Sequence, residues 1–398
     1  MPMLLLINHC RSRLVASIVW SLLLVFLAGS AAAIETRAKA GFVIDSTTGM
    51  VLLEKNADRP VPPASMSKLM TLYVAFEFIR SGKLSLTEKL RVSQHAANYG
   101  DSTMFLDTSD RVTVEDLLRG IIVLSGNDAC AVIAEALSPD GTEAGFAEIM
   151  TERAKQIGLS NSTFKNSNGW PAEGHLMSMR DLAVLAGKLI SDFPEFYPMF
   201  SEVKFAFDGR APANTRNRNP LLGLGIGADG LKTGHTKEAG YGLVGSATQE
   251  SRRVIFALSG MSSVQERAED AEAIVNWAFR QFIQKSYGAE GSRVAEVNLW
   301  NGEDNSVGVV LGRDLEVLVP VLGDEQIKFE LEYKNPIPAP IEKGEKIAVL
   351  RVHPKGLPST QVPLLAEKDV AIGGFFTNLS TAAKTLLRRV GGETEGAF

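Results

Sequence analysis

Cysteine is almost absent from this 398-residue chain, with Cys10 and Cys130 the only two. Cys10 falls in a segment whose pattern marks it for removal, so Cys130 has no internal disulfide partner. Its apolar surroundings predict a small buried hydrophobe. The five histidines (His9, His95, His175, His235, His353) include no pair spaced i, i+4. With a lone thiol beside them, no metal site is readable and no cofactor is expected. There is no Lys/Arg-rich run and the net charge is −5, so no nucleic acid is expected as a partner. A Gly-x-Ser-x-Gly elbow is also missing, which argues against the α/β-hydrolase route to a serine nucleophile. Gly225-Ile226-Gly227-Ala228-Asp229-Gly230 has the letters of a dinucleotide loop. It leads into a strand pattern instead of a helix, so the context for pyrophosphate binding is lacking.

What is present is ordinary globular material, 45% apolar and 22% charged, enough for two folded units with processed or tethering ends. Arg11 and Arg13 precede an apolar run from Leu14 to Ala28 broken only by Ser17 and Ser21, and Ala31-Ala32-Ala33 follows. This pattern predicts a cleaved signal peptide over residues 1–33 and a mature chain outside the cytoplasm. The alternative is an uncleaved anchor, for which about fifteen apolar residues fall short of the ~20 that span a bilayer.

The remaining pattern is α+β. Gly41 to Glu54 reads as strand, tight turn, strand. Leu69 to Ile79 is too densely apolar for a surface helix and reads as a buried one. Residues 85–200 are mostly helical in pattern, interrupted by a loop-rich stretch from Ser160 to Met179. Ser201 to Phe207 alternates like a strand. Sheet pattern returns at Gly242–Thr248 and Val254–Ser259, followed by a helix around Ala268–Phe282. Strands at both ends of a helical middle predict one sheet closed by its termini, over residues 34–290. From Val294 to Glu367 short alternating runs predict a small all-β domain, residues 291–370. Residues 371–398 form a last segment. In it Phe375, Leu379, Ala382, Leu386 and Val390 share a helical face beside Lys384, Arg388 and Arg389, which predicts a helix lying on a membrane surface through residues 375–390. A helix docked on the β-domain is the alternative.

Three Ser-x-x-Lys matches start at Ser65, Ser162 and Ser201, against about one or two expected by chance. Ser201 sits in the strand-like run, where Ser and Lys face opposite ways, and Ser162 sits in a Ser/Asn-rich loop. Only Ser65-Met66-Ser67-Lys68 opens a helix, where i and i+3 share a face. Such a lysine can act as a base toward Ser65 if its pKa falls from near 10.4 to about 7, which burial and a neighbouring cation can supply. Lys232-Thr233-Gly234 offers that cation, and Ser125-Gly126-Asn127 offers a hydroxyl to relay a proton.

Ser65-x-x-Lys68, Ser125-x-Asn127 and Lys232-Thr233-Gly234, in that order, resemble the signature of the penicillin-recognising serine acyltransferases. Pro63-Ala64-Ser65, Ser125 through Cys130, and Asp229 through Thr236 with Gly240-Tyr241 are similar to the low-molecular-mass penicillin-binding proteins of D-alanyl-D-alanine carboxypeptidase type. The resemblance implies a β-lactamase/transpeptidase-like catalytic domain with an antiparallel five-stranded sheet, and removal of the terminal D-alanine from peptidoglycan stem peptides. It implies Ser65 as nucleophile, Lys68 as base and Ser125 as the proton donor to the leaving group. Asn127, Lys232, Thr233, Gly234 and His235 would bind substrate, helped by Arg218 and Arg267, and the amides of Ser65 and His235 would form an oxyanion hole. β-Lactam antibiotics would be covalent inhibitors. The implied place is the periplasm, attached to the outer face of the inner membrane. A serine β-lactamase shares the three motifs, with Glu173 the carboxylate available in the Ser160–Gly174 loop as a deacylation base. A wall-binding protein without activity is the reading from another class. No role for His175 follows from the motifs.

Overall fold

Asp45 organises the first turn of the chain. Its Oδ1 accepts the Thr48 amide and hydroxyl at 2.8 and 2.9 Å, closing a tight turn between β1 (Ala40–Asp45) and β2 (Met50–Lys55). The computed structural model describes residues 34–210, 214–321 and 327–374. The expected signal peptide over 1–33, with Cys10, and the expected membrane-facing helix over 375–390 lie outside the described residues. The described chain divides into two units, one of Glu35–Arg280 with Pro358–Gln361 and a second of Gln281–Leu357 with the described residues from Val362 to Gly374.

In the first unit a 3₁₀ turn, Ala64–Ser67, runs into α1 (Lys68–Arg80), whose residues from Lys68 to Phe76 are all buried. A small ladder of β3 (Lys89–Arg91) and β4 (Arg111–Thr113) follows. Next come α2 (Val114–Arg119), one π-helical turn (Gly120–Leu124), α3 (Asn127–Leu137), α4 (Glu143–Gln156) and α5 (Met179–Asp192). Local chemistry starts these helices. The side chains of Thr113, Thr142 and Ser178 accept the amides of Asp116, Gly145 and Asp181, satisfying donors that a helix start leaves open. The chain then returns to sheet as β5 (Ala228–Thr236), β6 (Gly240–Gln249) and β7 (Arg252–Met261), and ends the unit in α6 (Val264–Arg280).

The sheet is antiparallel in the order β2-β1-β7-β6-β5, so β1 pairs with β7 and the ends of the unit meet, as the sequence pattern implies. Period-2 alternation separates its faces. Ile255 and Ala257 of β7 join the main core with α1 and α5, whereas Val254, Phe256 and Leu258 point to the other side. There Ala271, Ile274, Val275 and Ala278 of α6 are buried. The result is a sheet covered by helices on both faces, with β5 as its edge strand.

Two elements differ from the sequence pattern. Ser201 to Phe207 does not form the strand its alternation predicts. A 3₁₀ turn over Tyr197–Ser201, with Pro198 at its start, is followed only by an isolated bridge between Lys204 and Arg216. The last helix ends at Arg280, and Phe282 begins β8 (Phe282–Gly288).

The second unit is all β. A six-stranded sheet has the order β12-β14-β15-β10-β9-β13, from β9 (Arg293–Trp300), β10 (Ser306–Leu311), β12 (Ile327–Tyr333), β13 (Ile337–Pro338), β14 (Lys346–Pro354) and β15 (Thr360–Ala366). β8 pairs with β11 (Leu315–Pro320), so this unit starts upstream of the change of texture at Gly291.

Candidate active site

The nucleophile turn is built by close packing. Ala64 has φ 50°, a left-handed conformation that non-glycine residues seldom adopt. Two glycines permit the contacts around it. A Cβ on Gly234 of β5 would stand 3.0 Å from the Met66 Cγ and 3.0 Å from the Pro63 carbonyl oxygen, so the edge strand lies directly on the turn. A Cβ on Gly169, at φ 84°, would collide with the Ala64 carbonyl. Ser65 is thereby held between β5 and the loop that follows Asn168.

Lys68, one turn along, is fully buried. Its Nζ lies 2.9 Å from Ser65 Oγ, 2.8 Å from Asn127 Oδ1 and 2.5 Å from the Asn168 carbonyl oxygen. An ammonium donates to all three. A neutral amine keeps two donors for Asn127 and Asn168, and its lone pair then meets the Ser65 hydroxyl, which is the geometry of a base. Burial is the main force that brings this lysine down to about 8; Arg218 adds to the fall, and Glu143 and Asp128 oppose it.

The second lysine comes from β5. Lys232 is buried and its Nζ donates to Ser125 Oγ at 2.9 Å. Burial, followed by the charges of Lys68 and Arg218, holds it well below the ordinary lysine range. Ser125 ends the π-helical turn at φ 63°, again left-handed, with its hydroxyl turned toward Lys232. Strained backbone of this kind persists only where surrounding structure fixes it. Arg218 donates to Ser102 Oγ at 2.7 Å and to the Leu124 carbonyl at 3.1 Å. Among the described residues buried Arg267 donates to the Arg218 carbonyl, at 3.4 Å, and stands over the Tyr241 ring, while its Nε finds no partner there. Among the described residues none of Lys68, Lys232, Arg218 and Arg267 is in a salt bridge, although the chain has more acidic than basic residues.

The remaining expected residues divide. Thr233 is buried beside Lys232, and exposed His235 stacks on Tyr241 with ring centroids 4.0 Å apart. The side chain of Asn127, expected to orient substrate, is engaged within the protein: Oδ1 on Lys68 and Nδ2 on the Gly100 carbonyl, 3.0 Å. His175 is buried with Nδ1 on the Lys165 amide and Nε2 unpartnered, and burial lowers it to about 4. Glu173 is exposed on the rim of a cavity of about 360 Å³ that reaches Ala64 and Thr236. Of the other Ser-x-x-Lys serines, Ser162 bonds Asp181 and Ser201 bonds the Pro198 carbonyl. Cys130 is buried and unpaired, as its apolar context predicts. Sequence reasoning missed the Asn168 carbonyl, which is backbone and leaves no letter, and Glu143, whose only sequence signal is a helix start after Thr142.

A turn-borne serine against a buried lysine, faced by a second buried lysine on the edge strand, defines a serine acyl-transfer enzyme. The D-alanyl-D-alanine carboxypeptidase family model matches residues 28–262, and that of the penicillin-binding protein 5 C-terminal domain matches residues 282–371. The chain is 33% identical to the D-alanyl-D-alanine carboxypeptidase DacF of Bacillus subtilis, over 86% of this chain and 88% of that protein. With DacC of Escherichia coli the identity is 35%, over 85% and 86%. Among solved structures, penicillin binding protein 5 from Haemophilus influenzae superposes with TM-score 0.74 at 32% identity, covering 86% of this chain and all of that one. Penicillin-binding protein D2 from Listeria monocytogenes, in its ampicillin-bound form, gives 0.56 at 33%, covering 62% and 99%. The chain belongs to the D-alanyl-D-alanine carboxypeptidase family, and its activity is that of a serine-type D-Ala-D-Ala carboxypeptidase.

Proposed function

We propose that Ser65 attacks the carbonyl of the penultimate D-alanine in a peptidoglycan stem peptide, with Lys68 as its base. The Ser65 hydroxyl passes its proton to the neutral Lys68 amine as the Oγ–carbon bond forms. The amides of Ser65 and His235 receive the oxyanion. Ser125, backed by Lys232, relays the proton held by Lys68 to the leaving nitrogen as the carbon–nitrogen bond breaks, which returns Lys68 to its neutral form, and water then hydrolyses the ester. The free C-terminal carboxylate of the substrate meets Lys232 and Thr233, with Arg218 and Arg267 behind.

The observation that carries this reading is that Lys232, Arg218 and Arg267, grouped near Lys68, form no salt bridge among the described residues. A site so arranged favours an anionic substrate terminus, which a D-alanyl-D-alanine end supplies. A β-lactam presents a strained amide and a carboxylate to the same groups. The ampicillin- and cefotaxime-bound forms of the Listeria protein support acylation by that class of compound. The deciding experiment measures D-alanine release from a pentapeptide and covalent labelling by penicillin, with Ser65→Ala as control. Rapid penicillin turnover without D-alanine release favours a β-lactamase. Absence of any Ser65 adduct favours a wall-binding role without catalysis.

The same reading places the enzyme in the periplasm, exported by residues 1–33 and held on the outer face of the inner membrane through residues 375–390. Its support is the basic-then-apolar leader and the one-sided apolar face with three basic residues beside it. Among the described residues no helix is long and apolar enough to cross a membrane. Unchanged membrane association after deletion of residues 375–398 would remove the anchor.

A further inference from the structure

Glu143 is a buried carboxylate in the first turn of α4, away from every sequence motif. Its Oε1 accepts the Ser167 amide at 2.9 Å, the Ser167 hydroxyl at 2.5 Å and the Asn168 side-chain amide at 3.5 Å. Its Oε2 accepts the Tyr99 hydroxyl at 2.7 Å and the His95 ring nitrogen at 2.8 Å. Asn168, the residue so held, supplies through its carbonyl the shortest contact of Lys68. Gly169, having no Cβ, lets the same segment lie against the Ala64 carbonyl next to Ser65.

We propose that Glu143 is a positioning residue for Lys68: its carboxylate holds the Ser167–Asn168 segment so that the Asn168 carbonyl orients the lysine amine toward Ser65. This rests on the reading of Lys68 as the base. Without that carbonyl the neutral amine has one anchor, Asn127, and its lone pair is free to turn away from the hydroxyl. Glu143 also acts through its charge. Burial works against ionisation, but the donors from Ser167, Tyr99 and His95 outweigh it and keep the carboxyl below its ordinary value. The resulting negative charge favours the protonated form of Lys68 and opposes the burial and the Arg218 charge that drive it neutral. Asp128 acts in the same sense as Glu143. Cys130, on α3, and His175 also face the lysine.

The test uses the full chain and compares Glu143→Ala with Glu143→Gln, reading acylation by labelled penicillin over a range of about pH 6 to 10, with thermal melts alongside. The Ala variant loses about 10²-fold in acylation rate, the scale of a misplaced catalytic group. The Gln variant keeps an acceptor for Ser167 and recovers most of that loss. Its acid limb moves down by about half a pH unit or more, because the charge that favours protonated lysine is gone. A structural role alone leaves that limb in place. Wild-type acylation by the Ala variant overturns the proposal, and so does an unmoved acid limb in the Gln variant, whatever the rates and whether or not the Ala variant folds. Lys68→Ala is run in parallel. If it acylates as wild type, the base assignment fails instead, a result distinct from either Glu143 outcome.

Discussion

The Lys232 Nζ lies 2.9 Å from the Ser125 hydroxyl oxygen, across 107 residues of sequence. That contact ties the edge strand to the helical half of the unit and, in the mechanism proposed above, sets a lysine beside the hydroxyl that protonates the leaving amine. Ser125→Ala is expected to lower kcat by about 10² to 10⁴-fold, the range for loss of a proton-transfer group. It leaves penicillin binding less affected, since a β-lactam nitrogen stays tethered after ring opening. Steady-state D-alanine release set against penicillin acylation tests this, and equal losses in both would count against the relay.

The pH dependence follows from Lys68. Its folded-state pKa of about 8 lies below the ordinary 10.5, so the folded protein releases this proton before the unfolded chain does. Acylation therefore rises with pH through about 8 and levels above it. The sign for stability is the same. Between about 8 and 10.5 the unfolded state binds more protons, so this group adds stability as pH increases and costs stability below that window. Single-turnover acylation against pH checks the first statement. A rate that is flat across the window would remove Lys68 as the titrating base.

Gly234→Ala tests the packing of β5 on the nucleophile turn. The new methyl meets Met66 Cγ and the Pro63 oxygen, both at 3.0 Å, and the Pro63 oxygen is backbone that cannot swing aside. Overpacking of this kind costs about 1 to 3 kcal/mol. Acylation is expected to fall more than the melting temperature implies, because the strand moves away from Ser65. A melt and a rate both equal to wild type would show the contact to be slack.

Arg267 is a buried cation whose Nε has no hydrogen-bond partner among the described residues. Arg267→Gln is expected to raise KM for a peptide ending in a free carboxylate by about tenfold or more, with less change in kcat. Against the same peptide capped as an amide, the variant and the wild type should converge. Persistence of full discrimination in the variant would assign carboxylate recognition to Lys232 and Arg218 alone.

The parts of this site that were legible are those carried by short side-chain patterns. Ser65 and Lys68 are separated by one helical turn, and Ser125 and Lys232 announce themselves by their neighbours. The β-sheet and the all-β unit were legible through alternation. Backbone contributions were not. The Asn168 carbonyl and the left-handed turns at Ala64 and Ser125 arise from packing, and any residue type has a carbonyl to offer. Glu143 was hidden because an acid after Thr142 reads as an ordinary helix start. Strand β8 was missed because Phe282 and Ile283 continue the apolar pattern of the helix before them, and alternation at Ser201–Phe207 misled because Pro198 and its neighbours curl into a 3₁₀ turn.

The pairing of β1 with β7 joins Ala40 to Ser259 and Asp45 to Val254, residues more than 200 positions apart. The central strand of the sheet is thus among the last parts of its unit to be made. Until it arrives, the β1–β2 hairpin has an unpaired inner edge and helix α5 lacks the strand it packs against. Contacts of such long sequence separation are closed late and at high entropic cost. A chain built this way matures slowly, and the site proposed around Ser65 is complete only when both ends of the unit have been brought together.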